Sequence, residues 1–318
     1  MNQMVNGEWT AEPFQPRLRD GAYARPDSQF RDTVTADGRG GFAAEAGRYH
    51  LYVSLACPWA HRTLIVRRLK GLEEAVSVSV VHPYMGERGW QFDPTFPGST
   101  VDHVNGVDYL YDVYRLARPD YSGIITVPVL WDRERRTIVN NESSEIIRML
   151  NAEFGGCGAH GPDLYPQPLR AEIDALNERV YADVNNGVYR AGFATRQASY
   201  ARAVTALFAT LDELEQRLAG SRYLLGAQPT EADWRLFTTL VRFDAVYYGH
   251  FKCNLKRLVD YPNLWAYTRD LYQQPGIAAT VDLAQIKHHY YASHPRLNPS
   301  GIVPLGPGLD FLAAHGRG

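Results

Sequence analysis

The stretch Leu51-Tyr52-Val53-Ser54-Leu55-Ala56-Cys57-Pro58-Trp59-Ala60 decides the fold, because a short apolar strand here passes straight into a helical pattern with a cysteine at the join. Proline is favoured at the first helical position, where its missing N–H would have had no partner, so Pro58 fixes the helix start and leaves Cys57 at its mouth. A sulfur there faces open backbone N–H groups and the positive end of the helix macrodipole. Such surroundings draw a thiol from an ordinary pKa of ~8.5 toward roughly 3.5 to 7.5, and the thiolate is the nucleophile. His61 and Arg62 follow in the first turn as sources of positive potential. A lone cysteine is otherwise a small buried hydrophobe; the proline directly after it favours the reactive reading. Position 60, where a dithiol motif carries its second cysteine, is alanine, so the chemistry is monothiol.

Outward from this stretch, residues 49–53 read as a strand. The helix carries Leu64, Ile65, Val66 and Leu69 and ends at Gly71 in the C-cap role. Residues 76–81 alternate valine and serine before a final valine, a period-two strand, so the opening is a parallel βαβ unit. Residues 82–122 are long and irregular but rich in Trp90, Phe92, Phe96 and five tyrosines, which predicts packing over a site rather than disorder. Val127-Pro128-Val129-Leu130-Trp131 reads as a strand entered through proline, residues 137–140 as its hairpin partner, and Glu142 to Leu150 as a helix. Beyond a Gly/Pro-rich linker at 155–168, helical periods take over at about 168–190, 195–219, 230–249 and 262–274, with Thr230 and Asp233 spaced as a helix cap. The expected organisation is therefore α/β plus all-α: an irregular extension over 1–45, an α/β domain over 46–160 and a helical domain with a C-terminal tail over 168–318.

A length of 318 residues suits two domains at ~100 to 200 residues each. Hydrophobic residues at 45% and charged residues at 21% are those of a globular protein with a sizeable core. A formal net charge of −2 gives no electrostatic reason to expect nucleic acid or an anionic membrane as partner, which leaves small molecules. Three widely separated cysteines do not form a secreted disulfide framework and imply a reducing compartment. Residues 1–20 lack the apolar core of a signal peptide and no run reaches the ~18 apolar residues of a membrane span, so a cytoplasmic location is expected.

The order β-α-β, β-β-α with a cysteine at the first helix, Val127-Pro128 before the third strand and Glu142-Ser143 at the next helix resembles the thioredoxin-like half of glutathione transferases. The helical remainder is similar to their second half. More narrowly, Cys57-Pro58-Trp59-Ala60-His61-Arg62, Thr126-Val127-Pro128-Val129-Leu130-Trp131-Asp132 and Asn140-Asn141-Glu142-Ser143-Ser144-Glu145-Ile146-Ile147-Arg148 resemble the glutathionyl-hydroquinone reductases, the Xi class, over roughly residues 45–295.

The resemblance implies glutathione as co-substrate and no metal. If Pro128 is cis, as in that fold, the Val127 backbone is left to pair with a bound peptide like a short extra strand. Glu142 and Ser143 at a helix N-terminus fit the two ends of a γ-glutamyl group, the carboxylate on N–H groups and hydroxyl, the ammonium on Glu142. Ordinary N-capping is the plainer reading of the same two residues. By resemblance, Trp90 and the backbone of Ile124, Ile125, Thr126 and Val127 complete the glutathione site, although the family commonly has arginine where this chain has Ile124. Also by resemblance, Tyr189 exchanges the proton with substrate, Tyr247 and Tyr290 help keep Cys57 ionised, the second substrate is a glutathionylated hydroquinone, and the protein is a homodimer. The alternatives are an omega-like monothiol thioltransferase or dehydroascorbate reductase, a glutathione-conjugating transferase, and a non-catalytic glutathione-transferase-like binding module. Cys57 disfavours the last two. His288, His289 and His294 have no acidic partner at ligand spacing, Gly38 to Gly41 lacks the flanking strand and helix of a phosphate loop, and Cys157 and Cys253 lack a helix-start context and are expected to be inert or at most oxidisable surface thiols.

Overall fold

The computed structural model describes residues 3–10 and 20–317. The chain divides into two compact units: residues 3–10 and 26–162 form the first, residues 20–25 and 163–317 the second.

The first unit is built on a four-stranded sheet of order β6-β5-β8-β9. In it β5 (Tyr49–Val53) runs parallel to β6 (Val76–Val80) and antiparallel to β8 (Val129–Asp132), which pairs in turn with antiparallel β9 (Thr137–Asn140). All residues of β5 and β8 are buried, which is why neither sequence alternates: a strand covered on both faces has no polar side to show. Helix α1 (Pro58–Leu69) is the crossover from β5 to β6, and α3 (Ser143–Ala152) follows β9 and packs on α1. Gly71 closes α1: its N–H donates to the Arg68 carbonyl at 3.1 Å and that of Leu72 to the Arg67 carbonyl at 2.9 Å, with Gly71 at φ +63°. A Cβ there would lie 1.8 Å from the His160 ring, so any other residue would have to displace that side chain as well as adopt the left-handed backbone. At the edge of β5, Arg48 clamps the wholly buried Asp132 of β8 through Nη2–Oδ2 at 2.6 Å.

The segment between β6 and β8 is more ordered than its sequence suggests. Leu110–Ala117 form helix α2, whose Leu110, Tyr111, Val113 and Tyr114 are buried. With two of those four positions aromatic, the helix offers weak propensity and a short period. Asp102 organises the turn before it, accepting from Tyr52 Oη at 2.9 Å and from the N–H groups of Val104, Asn105 and Val107. Within the expected irregular extension the chain forms a hairpin of β1 (Gln3–Val5) and β2 (Glu8–Thr10), with β1 pairing antiparallel with β7 (Gly123–Ile124), and a parallel pair of β3 (Thr33–Thr35) and β4 (Gly41–Ala43). Strands of two or three residues are too short to show a period. The Gly38 to Gly41 cluster is the turn that joins β3 to β4. Residues 1, 2 and 11–19 of the expected extension lie outside the described residues.

The second unit contains α4 (Arg170–Val180), α5 (Gly187–Gly192), α6 (Gln197–Ala219), α7 (Glu231–Arg242), α8 (Pro262–Tyr272) and α9 (Leu283–Ser293). The expected helix over 168–190 is interrupted by a π-helical turn at Tyr181–Asn185, and that over 230–249 ends in another at Phe243–Tyr247. Helix α9 was not expected; its Leu283-Ala-Gln-Ile-Lys-His-His-Tyr-Tyr291 mixes aromatic and polar residues without an aliphatic stripe. The Thr230 cap is present as a reciprocal capping box, and its Asp233 also accepts from the Leu224 N–H at 2.9 Å and Tyr267 Oη at 2.8 Å. Residues 20–25 lie against the start of α6 and the residues before it: Ser199 Oγ donates to the Asp20 carbonyl at 2.6 Å and the Thr195 N–H to the Gly21 carbonyl at 3.1 Å.

Two buried histidines tie stability to pH. His50 sits between Ser77 Oγ at 2.6 Å and Ser79 Oγ at 3.0 Å, and burial pushes it down to about 3 from 6.5. Burial likewise pushes His250 down to about 4. Both are neutral when folded, so the unfolded chain binds more protons below pH 6.5; their contribution is whole above that value and is lost as pH falls toward 4 and 3. Each group is expected to forfeit about 2 kcal/mol by pH 5. Urea midpoints measured from pH 7.5 to 5 should fall accordingly, and His50→Asn should flatten the slope by about one proton.

Candidate active site

Cys57 is the N-cap of α1, with φ −77° and ψ 122°, and Pro58 occupies the first helical position. The residue is partly exposed, and its S–H lies 3.6 Å from the Val127 carbonyl. The two segments meet because β5 delivers the chain to Cys57 while β8, its antiparallel neighbour, is entered through a cis Val127-Pro128 bond. The sulfur therefore faces backbone at the end of a sheet, where an extended peptide can lie against Val127.

A second helix start lies in the same unit. Glu142 is the N-cap of α3, accepting from the Ser144 N–H at 3.1 Å and Ser144 Oγ at 3.0 Å, and Ser143 is the first helical residue. The plainer capping reading of Glu142 is thus realised, and it sets a carboxylate at a helix N-terminus. Arg62, 1% exposed and stacked over the Trp59 ring at 4.6 Å, donates to Ser143 Oγ at 3.3 Å. Its positive charge is carried beneath the start of α3.

The remaining glutathione-site candidates share this unit. Ile124 pairs with Gln3 of β1, and its carbonyl accepts from Tyr121 Oη at 2.9 Å. Ile125 and Val127 are buried and Thr126 is half-buried. Trp90 is buried and accepts the Leu110 N–H at 3.0 Å. Sequence reasoning gave no role to Tyr114 and Asn141, which link these pieces: Tyr114 Oη donates to the Thr126 carbonyl at 2.8 Å and accepts from Asn141 Nδ2 at 3.1 Å. Only the position of Asn141 inside the 140–148 motif marked it; Tyr114 was one tyrosine among five in a segment without a period.

In the second unit the three tyrosines chosen from the resemblance come together. Tyr290 Oη lies 2.5 Å from Tyr189 Oη and 3.0 Å from Tyr247 Oη, forming one chain of hydroxyls. Tyr247 and Tyr290 are fully buried and Tyr189 is partly exposed. Burial, reinforced by the neighbouring Tyr189 and Tyr247, raises the Tyr290 hydroxyl well above its ordinary value, so it stays protonated. The π-helical turns place the outer two members, since Tyr189 follows one by four residues and Tyr247 closes the other. Asn185 fastens the first turn to α7 by donating to the Arg235 carbonyl at 3.0 Å and Thr239 Oγ1 at 2.8 Å. Phe251 packs on Tyr189 with ring centroids 5.4 Å apart, in space left by Gly192, where a Cβ would come within 2.3 Å of that ring.

None of the three cysteines is in a disulfide. Burial raises the thiols of both Cys157 and Cys253, well above the ordinary range for Cys253. His250 and His294 bond to one another at 3.1 Å, and among the described residues no group of three His, Cys, Asp or Glu side chains is placed to hold a metal. Among the same residues no helix is long and apolar enough to cross a membrane.

A thioredoxin-like sheet with a cysteine at the first helix, followed by an all-helical domain, defines a glutathione transferase. The N-terminal domain family of glutathione S-transferases matches residues 56–153 and their C-terminal domain family residues 197–270. The chain is 54% identical to glutathionyl-hydroquinone reductase YqjG of Escherichia coli, covering 100% of this chain and 98% of that one. The glutathione-bound structure of YqjG superposes with a TM-score of 0.92 at 53% identity, over 99% of this chain and 98% of that one. The Xi class transferase of Natrialba magadii does so with a TM-score of 0.94 at 52% identity, over 100% and 96%. The chain belongs to the glutathionyl-hydroquinone reductases, the Xi class of this family.

Tyr290→Phe removes the hydroxyl that bridges two others in a buried setting and is expected to cost about 1–3 kcal/mol of stability. Urea unfolding of the variant against wild type measures it; an effect below a few tenths of a kcal/mol would show that the chain of hydroxyls does not hold the helices together.

Proposed function

We propose that the protein reduces glutathionyl-hydroquinones to hydroquinones with glutathione as reductant, through a mixed disulfide on Cys57. The observation that carries this reading is the placement of the Cys57 sulfur at a helix N-terminus against the Val127 carbonyl, in a chain of this family. The helix start and macrodipole favour the thiolate, which attacks the glutathionyl sulfur of the substrate. The sulfur–carbon bond breaks with its electron pair going to the ring carbon, and Cys57 is left joined to glutathione. Tyr189, the partly exposed end of the hydroxyl chain, gives the ring carbon its proton. A second glutathione thiolate then attacks the mixed disulfide, releasing glutathione disulfide and regenerating the Cys57 thiolate. One aromatic thioether and one glutathione thus become one hydroquinone and one disulfide, and the proton supplied by glutathione replaces the one Tyr189 gave.

Within the glutathione site, the Val127 backbone pairs with the cysteinyl part of the tripeptide, Ser143 and the start of α3 receive the γ-glutamyl carboxylate, and Glu142 its ammonium. Trp90 and the backbone from Ile124 to Thr126 border the same tripeptide. Tyr247 and Tyr290 set the hydroxyl of Tyr189 and, as the resemblance implies, support the Cys57 anion. Three cysteines outside any disulfide fit a reducing cytoplasm, and a homodimer goes with the family.

Incubation with a glutathionyl-hydroquinone and glutathione should release hydroquinone, with the glutathione adduct on Cys57 visible by mass spectrometry. Cys57→Ser should abolish both; undiminished turnover would reject the mechanism. If simple disulfides are reduced quickly and the aromatic thioether hardly at all, the omega-like thioltransferase reading replaces it.

Tyr189→Phe should slow hydroquinone release by about 10²-fold while reduction of model disulfides, which needs no ring protonation, changes little. Equal loss of both would remove Tyr189 from the proton-transfer step.

A further inference from the structure

We propose that Ser28 is a positioning residue of the glutathione site, and that the N-terminal arm over residues 28–32 is built into that site rather than appended to it; the proposal rests on the assignment of Glu142 to the glutathione ammonium. Ser28 Oγ lies 3.2 Å from Glu142 Oε2 and 3.2 Å from the Asn141 carbonyl. Its single proton serves one or both of these acceptors at the very residue that caps α3.

The arm runs as an added edge along β9 and the turn after it. The Asp32 N–H donates to the Val139 carbonyl at 3.0 Å, the Asn141 N–H to the Phe30 carbonyl at 3.1 Å, and the Phe30 N–H to Asn141 Oδ1 at 3.2 Å. Arg31 Nε adds a bond to Glu145 Oε2 of α3 at 2.7 Å. Ser28 is thereby delivered to the helix start by backbone pairing, not by chance contact of a loose side chain.

The two oxygens of Glu142 are held from opposite parts of the chain. Oε1 faces the helix, accepting from Ser144, and Oε2 faces the arm, accepting from Ser28. Bonds on both oxygens restrain the plane of the carboxylate toward which an ammonium would come. Fixing an acceptor before the ligand arrives removes an ordering cost from binding, so the effect belongs to glutathione affinity. Ser28 is half-buried and touches none of the reacting atoms assigned above.

The test is the glutathione dissociation constant of the full-length protein by calorimetry, with KM for glutathione alongside. Ser28→Ala should weaken glutathione binding by about 3- to 10-fold and raise KM by a similar factor, with the change falling in KM and not in kcat. Ser28→Thr, which keeps the hydroxyl, should restore both. In a Glu142→Gln background Ser28→Ala should have little further effect, because its partner's charge is already gone. Unchanged binding in Ser28→Ala, failure of threonine to restore it, or a full-sized effect in the Glu142→Gln background would each overturn the proposal. Absence of hydroquinone release by wild type would count against the proposed reaction alone, since glutathione binding by the same variants still reads the role of Ser28.

Discussion

The start of α1 is the constraint on which the site depends. Pro58 cannot continue a strand ladder and suits a first helical turn, so after the turn at Leu55-Ala56, closed by the Cys57 N–H on the Ser54 carbonyl at 3.1 Å, the helix begins directly after Cys57. That turn puts a sulfur at the positive end of a helix, beyond the end of an interior strand and beside the backbone that enters β8. A thiol a residue earlier would be in the approach to the helix, a residue later inside it. The setting of the Cys57 sulfur is a product of backbone direction first and of its neighbours second.

The helix starts of α1 and α3 in the first unit are not independent. Arg62 reaches from one to Ser143 at the head of the other, buried beneath Trp59. A buried guanidinium is costly unless well bonded, so its presence ties the orientation of α3 to that of α1. On the far side, Tyr114 and Asn141 bind the segment before β8 to the start of α3, and β1 and the arm at 28–32 brace the same pieces from outside. A peptide-sized ligand needs its contacts fixed relative to one another, and these bonds supply that rigidity without touching it.

The second unit shows the same economy by a different device. Two π-helical turns, each followed or closed by a tyrosine, bring Tyr189 and Tyr247 to the hydroxyl of Tyr290 on α9. Regular α-helices over the same residues would carry the side chains after each insertion to a different face. Sequence periodicity registers the helices because aliphatic residues recur every three or four positions, yet a single inserted residue barely disturbs that count. Both turns were therefore read as uninterrupted helix, and α9, with no aliphatic stripe, was not read at all.

Local chemistry was legible in the amino-acid sequence: the cysteine before a proline, the proline at the entrance to β8, the glutamate and serine at a helix start, the threonine–aspartate cap, the glycine closing α1. Each is a choice of residue dictated by its immediate backbone, so one chain suffices to read it. Contacts between residues far apart in the chain were decided only by tertiary structure. Ser28 meets Glu142, Gln3 pairs with Ile124 and Tyr189 meets Tyr290 across more than a hundred positions in each case. Such pairs depend on strand pairing and helix packing summed over the whole unit, and two- or three-residue strands or single hydroxyls leave no periodic trace by which a sequence can announce them.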